Sequence, residues 1–281
     1  MELLSDYAEG GGSGQLIPPF LIGVRCPNHY HCRLMQRIIL ALAASLVCLS
    51  CASPKDPLNS LSAPETAAGW KLLFDGQTTA GWRGYAKTSF PDHGWVVEDS
   101  CLKNEGSGGH HGAGGGDLVT TEKFDDFDLK FEWRIAPAGN SGVKYFVYEG
   151  KTGKSGVGYE YQILDDTKNA DSANGPDRQA GALYYLIAPN DAKHLEPVGQ
   201  FNRSEIIVRG NHVEHWLNGA RIVQFELGSP EIKAAIAKSK FRKIRGYGEK
   251  MTTVLLLQDH GDAVWFRNLK IRRLDPTKPL S

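Results

Sequence analysis

From Tyr159 to Ile163 the chain alternates apolar and polar residues without a break. In an extended backbone successive side chains point to opposite faces. Tyr159, Tyr161 and Ile163 therefore share one face, and Glu160 and Gln162 share the other. The first face can pack a core, and the second sets a carboxylate and an amide side by side on a rigid surface. A second stretch repeats the arrangement: Leu129, Phe131, Trp133 and Ile135 alternate with Lys130, Glu132 and Arg134. Two such strands predict a β-sandwich with a polar cleft on an outer sheet face, a surface suited to a sugar.

The rest of the composition agrees. The chain has 281 residues and is 41% hydrophobic, enough to bury a sizeable core. Its formal net charge is zero, so no global basic field attracts nucleic acid. The 32 glycines, set against one convincing helix pattern in the body, favour a turn-rich all-β protein.

The N-terminal region reads as targeting sequence rather than fold. Residues 35–51 combine a basic start, an apolar stretch and small residues before Cys51, as in a bacterial lipoprotein signal peptide whose cysteine is lipidated. Cys48 stands where such signals usually carry leucine. Residues 1–34 read as an extension upstream of a true start at Met35. Cys26 and Cys32 there bracket two histidines, but no second half-site follows at metal-binding spacing. Export to the periplasm or the cell surface, with membrane attachment through Cys51, is the expectation. Cys101 then lacks a partner and reads as a small buried apolar residue.

Residues 52–68, rich in Pro, Ser and Ala, read as a flexible tether, and residues 69–275 as the folded domain. Strands are expected near 117–121, 127–135, 142–148, 158–164 and 181–187. A long surface loop is expected over 167–179, and hairpins around Gly210-Asn211 and Asn218-Gly219. Ser229-Pro230-Glu231 opens the one good helix, with a capping serine, a proline in the first turn and an acid at the positive end. The basic run 238–245 that follows reads as solvated surface.

Several groups could carry chemistry, each with a plainer alternative. Glu160 and Gln162 can supply a general base, a cation ligand and a hydroxyl-orienting amide, or form an ordinary exposed sheet face. Glu132 lies between two cations that can simply pair with it. Asn140-Ser141-Gly142 reads as a turn. Gln258-Asp259-His260 ends an apolar strand and places three polar groups at a sheet edge, His260 being either a proton carrier or a turn residue. Trp216 can stack on a sugar, whereas the register of His215 with Val213 and Leu217 suits a satisfied core histidine. His110-His111 sit in a glycine-rich loop and read as solvated. No phosphate loop, serine-hydrolase elbow or zinc-protease helix is present.

Taken in order, Gly69-Trp-Lys-Leu-Leu-Phe-Asp-Gly76, Phe131-Glu-Trp-Arg-Ile135, Gly139-Asn-Ser-Gly142, Tyr159-Glu-Tyr-Gln-Ile-Leu-Asp165, Gly181-Ala-Leu-Tyr184, His215-Trp-Leu-Asn-Gly219, Gln258-Asp-His-Gly261 and Val264-Trp-Phe-Arg-Asn268 resemble the 3-keto-disaccharide hydrolase family. The resemblance spans nearly all of residues 69–274. It implies a concanavalin A-like jelly roll of two antiparallel sheets with one short helix. It also implies exported bacterial proteins that cleave 3-keto-glycosides by elimination and hydration, a net hydrolysis. By the same resemblance Glu160, His260 and Glu132 are the catalytic candidates. Asn140, Gln162, Tyr184, Trp216 and Gln258 are the substrate contacts. A divalent cation is a candidate cofactor, with Glu160 as its candidate ligand, and no organic cofactor is expected. A non-catalytic carbohydrate-binding surface lipoprotein and a purely structural lipoprotein are the competing readings.

Overall fold

The computed structural model describes residues 57–110, 114–150 and 156–278. The upstream extension, the signal segment and Cys51 lie outside the described residues. In chain order the elements are α1 (Ala63–Ala67), β1 (Lys71–Leu72), β2 (Trp82–Gly84), β3 (Trp95–Glu98), β4 (Cys101–Asn104), β5 (Leu118–Thr120), β6 (Phe127–Ile135), β7 (Asn140–Tyr148) and β8 (Val157–Leu164). There follow β9 (Asn202–Arg209), β10 (His212–Leu217), β11 (Ala220–Glu226), α2 (Pro230–Lys238), β12 (Leu256–Leu257) and β13 (Val264–Arg273).

The strands form the expected jelly-roll sandwich of two antiparallel sheets. An eight-stranded sheet runs β11-β10-β9-β6-β13-β4-β3, with β1 also paired to β13. A five-stranded sheet runs β2-β5-β12-β7-β8. Alternation decides which side chains lie between them. Phe127, Leu129, Phe131, Trp133 and Ile135 of β6 join Val143 and Tyr145 of β7 and Tyr159, Tyr161 and Ile163 of β8 in one core. The rings meet edge-on, as between Phe131 and Tyr161 at 5.5 Å and between Phe127 and Tyr145 at 6.3 Å. Burying each of these large side chains contributes about 1.5–3 kcal/mol relative to leaving it in water.

His215 is fully buried in this core. Its Nδ1 donates to Gly181 O at 3.0 Å, which leaves Nε2 to accept from the Tyr145 hydroxyl at 2.9 Å. Burial lowers its pKa to about 4, so the ring is neutral. It is the satisfied core histidine that its register allows.

The helix after Ser229 forms as expected, with Ser229 Oγ accepting from Ile232 N at 3.3 Å. Three features differ from expectation. Residues 57–68 are not a free tether: Ser62 and Glu65 close a capping box on α1, Glu65 pairs with Lys270, and Asn59 exchanges hydrogen bonds with Asn268. α1 is thus a second short helix, docked on the sandwich by polar contacts that composition does not reveal. Residues 181–187 make isolated bridges from Leu183 to Tyr161 and Ile187 instead of a strand. The segment 167–179 carries two short 3₁₀ turns, Ala170–Asn174 and Pro176–Arg178.

Candidate active site

The outward row of β8 lies over the outer face of the five-stranded sheet. Register sets Glu160 opposite Lys144 and Gln162 opposite Gly142 on β7. On the far side of β7, Leu256 of β12 pairs with Lys144, and Gln258 N donates to Gly142 O at 2.9 Å. Asn140 begins β7, and its N–H donates to Asp262 Oδ2 at 3.0 Å. The sheet therefore presents Glu160, Gln162, Lys144, Asn140 and Gln258 on one surface. Tyr184, whose N–H donates to Glu160 O at 3.0 Å, stands at the edge of this surface. Lys240 and Phe241 reach over from the 3₁₀ turn Lys240–Lys243, and His260 closes one end. Together they line a cleft of about 360 Å³.

Gly142 makes room for this arrangement. A Cβ there would sit 2.7 Å from Glu160 Oε1 and 2.9 Å from Glu160 Cγ, so only a glycine lets the glutamate lie across the neighbouring strand. A second glycine fixes the end of the cleft. Gly261, at φ +92°, accepts through its carbonyl from Ser107 N at 2.8 Å and Gly109 N at 2.9 Å. Buried Asp259 ties the same corner together, accepting from Gly261 N and Gly116 N, each at 3.0 Å. The glycine-rich loop is thereby pinned beside His260. His110 is exposed there, and His111 lies outside the described residues.

The electrostatics centre on Glu160, which is 7% exposed. Its burial raises its pKa, the ammonium groups of Lys144 and Lys240 pull it back down, and Asp117 adds to the rise. The net direction is upward. Lys144 Nζ lies 3.5 Å from Glu160 Oε2 and donates to Gly156 O at 3.3 Å. Lys240 Nζ stands 4.5 Å from the Tyr184 ring centre and 5.2 Å from that of Phe241. Desolvation lowers the Lys240 pKa, against the pull of Glu160. Burial raises the Tyr184 phenol, whose hydroxyl donates to Asp171 Oδ2 at 2.8 Å. Two buried amide oxygens, Asn140 Oδ1 and Gln258 Oε1, have no partner among the described residues. Buried acceptors are nearly always paired, so both are ready to accept from a ligand hydroxyl or a water.

The structure thus brings together Glu160, His260, Asn140, Gln162, Tyr184 and Gln258. It does not bring in Glu132 or Trp216, which lie on the outer face of the other sheet. Glu132 Oε2 accepts from Arg267 Nε at 2.8 Å, and Trp216 Nε1 donates to Glu214 Oε2 at 2.7 Å. Alternation shows that both point outward, but not from which sheet. Lys144 and Lys240 are cleft residues that the sequence reading does not single out. A lysine in the otherwise apolar strand 142–147 is a usable signal, whereas Lys240 is hidden within a basic run. Cys101 is buried, and burial raises its thiol pKa, as suits an inert packing residue.

The residues do not make a good cation site. Among the described residues no three His, Cys, Asp or Glu side chains converge on one point. Glu160 already faces an ammonium at 3.5 Å, the charge that a cation would otherwise supply.

The profile of the 3-keto-alpha-glucoside-1,2-lyase-like domain matches residues 69–272, the whole sandwich. The chain belongs to this family. A Bacteroides thetaiotaomicron protein named 3-keto-disaccharide hydrolase is 35% identical over 243 residues, covering 78% of this chain and 83% of that one. A crystal structure from Parabacteroides distasonis, described provisionally as a glycosyl hydrolase, is 33% identical. It superposes with a TM-score of 0.69, covering 78% of this chain and all of the other (100%). A second Parabacteroides distasonis structure, at 21% identity, covers 73% of this chain and 99% of its own, and its TM-score of 0.50 shows the shared fold.

Proposed function

We propose that the cleft binds a 3-keto-glycoside and breaks its glycosidic bond by elimination followed by hydration, with net hydrolysis as the result. The observation that carries this reading is Glu160, a buried carboxylate with a raised proton affinity facing two lysines in a cleft lined with hydrogen-bonding groups. The relative named 3-keto-disaccharide hydrolase supports the substrate class.

The chemistry follows from the ketone. A carbonyl at C3 acidifies the hydrogen on C2, because the electron pair left behind spreads onto the carbonyl oxygen. Glu160 takes that proton, and the ammonium groups of Lys144 and Lys240 face the developing enolate oxygen. The enolate pair then forms the C1=C2 double bond as the C1–O glycosidic bond breaks, and His260 protonates the leaving oxygen. Water adds its hydroxyl to C1 while Glu160 returns its proton to C2. The remaining water proton restores His260, so the cycle closes without a redox partner. Asn140, Gln162, Gln258 and Tyr184 hold the sugar hydroxyls. No step is routed through a metal, given the ammonium beside Glu160.

The signal-like segment 35–51 supports export, with attachment to the membrane through Cys51. Among the described residues no helix is long and apolar enough to cross a membrane.

The test is incubation of the purified chain with a 3-keto-disaccharide, followed by mass spectrometry. Release of a free sugar together with an unsaturated or hydrated 3-keto-sugar is expected. Glu160→Gln should lower turnover by about 10²–10⁴-fold with the melting temperature kept. Undiminished turnover in that variant removes Glu160 from the reaction. An uncleaved substrate that still raises the melting temperature makes the cleft a binding site only.

A further inference from the structure

The outer face of the eight-stranded sheet holds the two residues that the cleft does not use, and Trp216 is the better placed of them. Register aligns one row of side chains across five strands: Arg221 on β11, Trp216 on β10, Glu205 on β9, Lys130 on β6 and Lys270 on β13. At the usual strand spacing such a row spans about 19 Å. Two hollows flank it, one of about 350 Å³ and one of about 410 Å³, and both are lined by Trp216 and Glu205.

We propose that this face is a second ligand site, in which Trp216 stacks on a neutral oligosaccharide, separate from the cleft around Glu160.

The indole is half-buried and fixed in place. Its N–H donates to Glu214 Oε2 at 2.7 Å, and Glu214, itself 3% exposed, is held by Arg221 at 2.7 Å and by His212 at 3.1 Å. The pairing of β10 with β11 skips one residue at this point, from Val223 opposite His215 to Arg221 opposite Trp216. Such a bulge re-aims side chains and recurs beside functional sites. A ring held this way loses little freedom on binding, unlike the long, mobile side chains of an ordinary solvated sheet face.

The charges around the ring indicate the ligand's class. Arg221 pairs with Glu214, Lys130 with Glu205, Arg272 with Asp128 and Arg267 with Glu132. Arg203 in the smaller hollow and Arg209 in the larger have no carboxylate partner among the described residues, but every charge in the Trp216 row is opposed, Lys270 by Glu65, so neither an anion nor a cation finds an unopposed cluster beside the ring. Paired charges instead offer donors and acceptors close together, as hydroxyl groups require, since each both gives and accepts. Burial and the neighbouring Asp128 raise the proton affinity of Glu205, and Lys130 pulls it back down. Buried Arg209 Nε, beside the larger hollow, has no acceptor among the described residues. An indole face between such groups matches a pyranose, with its apolar C–H face and its rim of hydroxyls.

The experiment is titration of cellohexaose and of maltohexaose into the Glu160→Gln variant by calorimetry, alone and combined with Trp216→Ala or Trp216→Phe. Binding of at least one hexaose is expected. Trp216→Ala should weaken it about tenfold or more, and Trp216→Phe, which keeps a ring, should weaken it less. Arg203→Ala, an exposed change in the smaller hollow, should also weaken it and serves should the tryptophan variants fail to fold. In the otherwise native chain Trp216→Ala should leave kcat/KM on a 3-keto-disaccharide within about twofold. Absence of binding to both hexaoses overturns the proposal, as does equal affinity with and without Trp216. The titration needs no turnover, so it stands or falls apart from the reading of the cleft.

Discussion

Gly142→Ala separates the position of Glu160 from the stability of the fold. The added Cβ would lie 2.7 Å from Glu160 Oε1, 2.9 Å from Cγ and 3.0 Å from Cδ. Non-bonded contacts become favourable at about 3.5 Å, so the carboxyl must withdraw by about 0.8 Å. The obstructing atoms belong to a side chain that can rotate, not to backbone. Gly142 also lies outside the left-handed region, so alanine fits the strand and restricts the unfolded chain, a gain of about 0.4–1 kcal/mol. That gain offsets the cost of moving Glu160, and the melting temperature should stay within about 3 °C of the wild type. Catalysis has no such compensation. A displacement approaching 1 Å at a reacting group can cost about 10²-fold, so kcat on a 3-keto-disaccharide should fall about ten- to a hundredfold. Thermal unfolding and steady-state kinetics on one preparation decide the matter. Unchanged kcat in a folded variant would refute the placement of Glu160 at the reacting carbon. A large loss of stability would refute the claim that only the side chain yields.

Two further outcomes follow from charge. Lys144→Met removes an ammonium that holds the Glu160 pKa down, so the acid limb of the kcat/KM profile should move to higher pH; a limb that stays put means that another group titrates. His215 is the second case. Its pKa falls from an ordinary 6.5 to about 4 on folding, so the neutral ring's contribution is complete above 6.5 and is lost as pH falls toward 4. The loss is roughly 3 kcal/mol, and His215→Gln should flatten the decline in denaturant stability over that window. A decline of undiminished depth in the variant would mean that other groups carry it.

Periodicity exposes much of this molecule to a reader of the sequence. Glu160 and Gln162 are legible because they interrupt an apolar row at every second position, and Gln258 and His260 because a run of four apolar residues ends on them. What periodicity cannot supply is which of two outer faces a side chain occupies. Glu132 and Trp216 alternate as cleanly as Glu160 does, yet point away from the opposite sheet. Lys144 shows in the sequence only as a lone lysine within an apolar run: β7 is buried on both faces up to Val147, so no polar row marks the face that the lysine takes. Lys240 depends on the path of a 3₁₀ turn, which no local pattern foretells. The docking of residues 57–68 rests on long-range polar contacts, such as Asn59 with Asn268, that composition cannot show.

The place of β13 in the large sheet has a consequence for how the chain acquires its structure. The last strand in the sequence lies near the middle of the sheet, bonded to β6 and β4 and also to β1. Without residues 264–273, β6 and β4 each present an open edge, and neither β1 nor the β3-β4 pair is joined to the rest of the large sheet. Closing the large sheet therefore requires segments distant in sequence to meet, a slow route by the cost of closing long loops. Removal of residues 264–281 would leave exposed strand edges prone to aggregation, not a shortened sandwich.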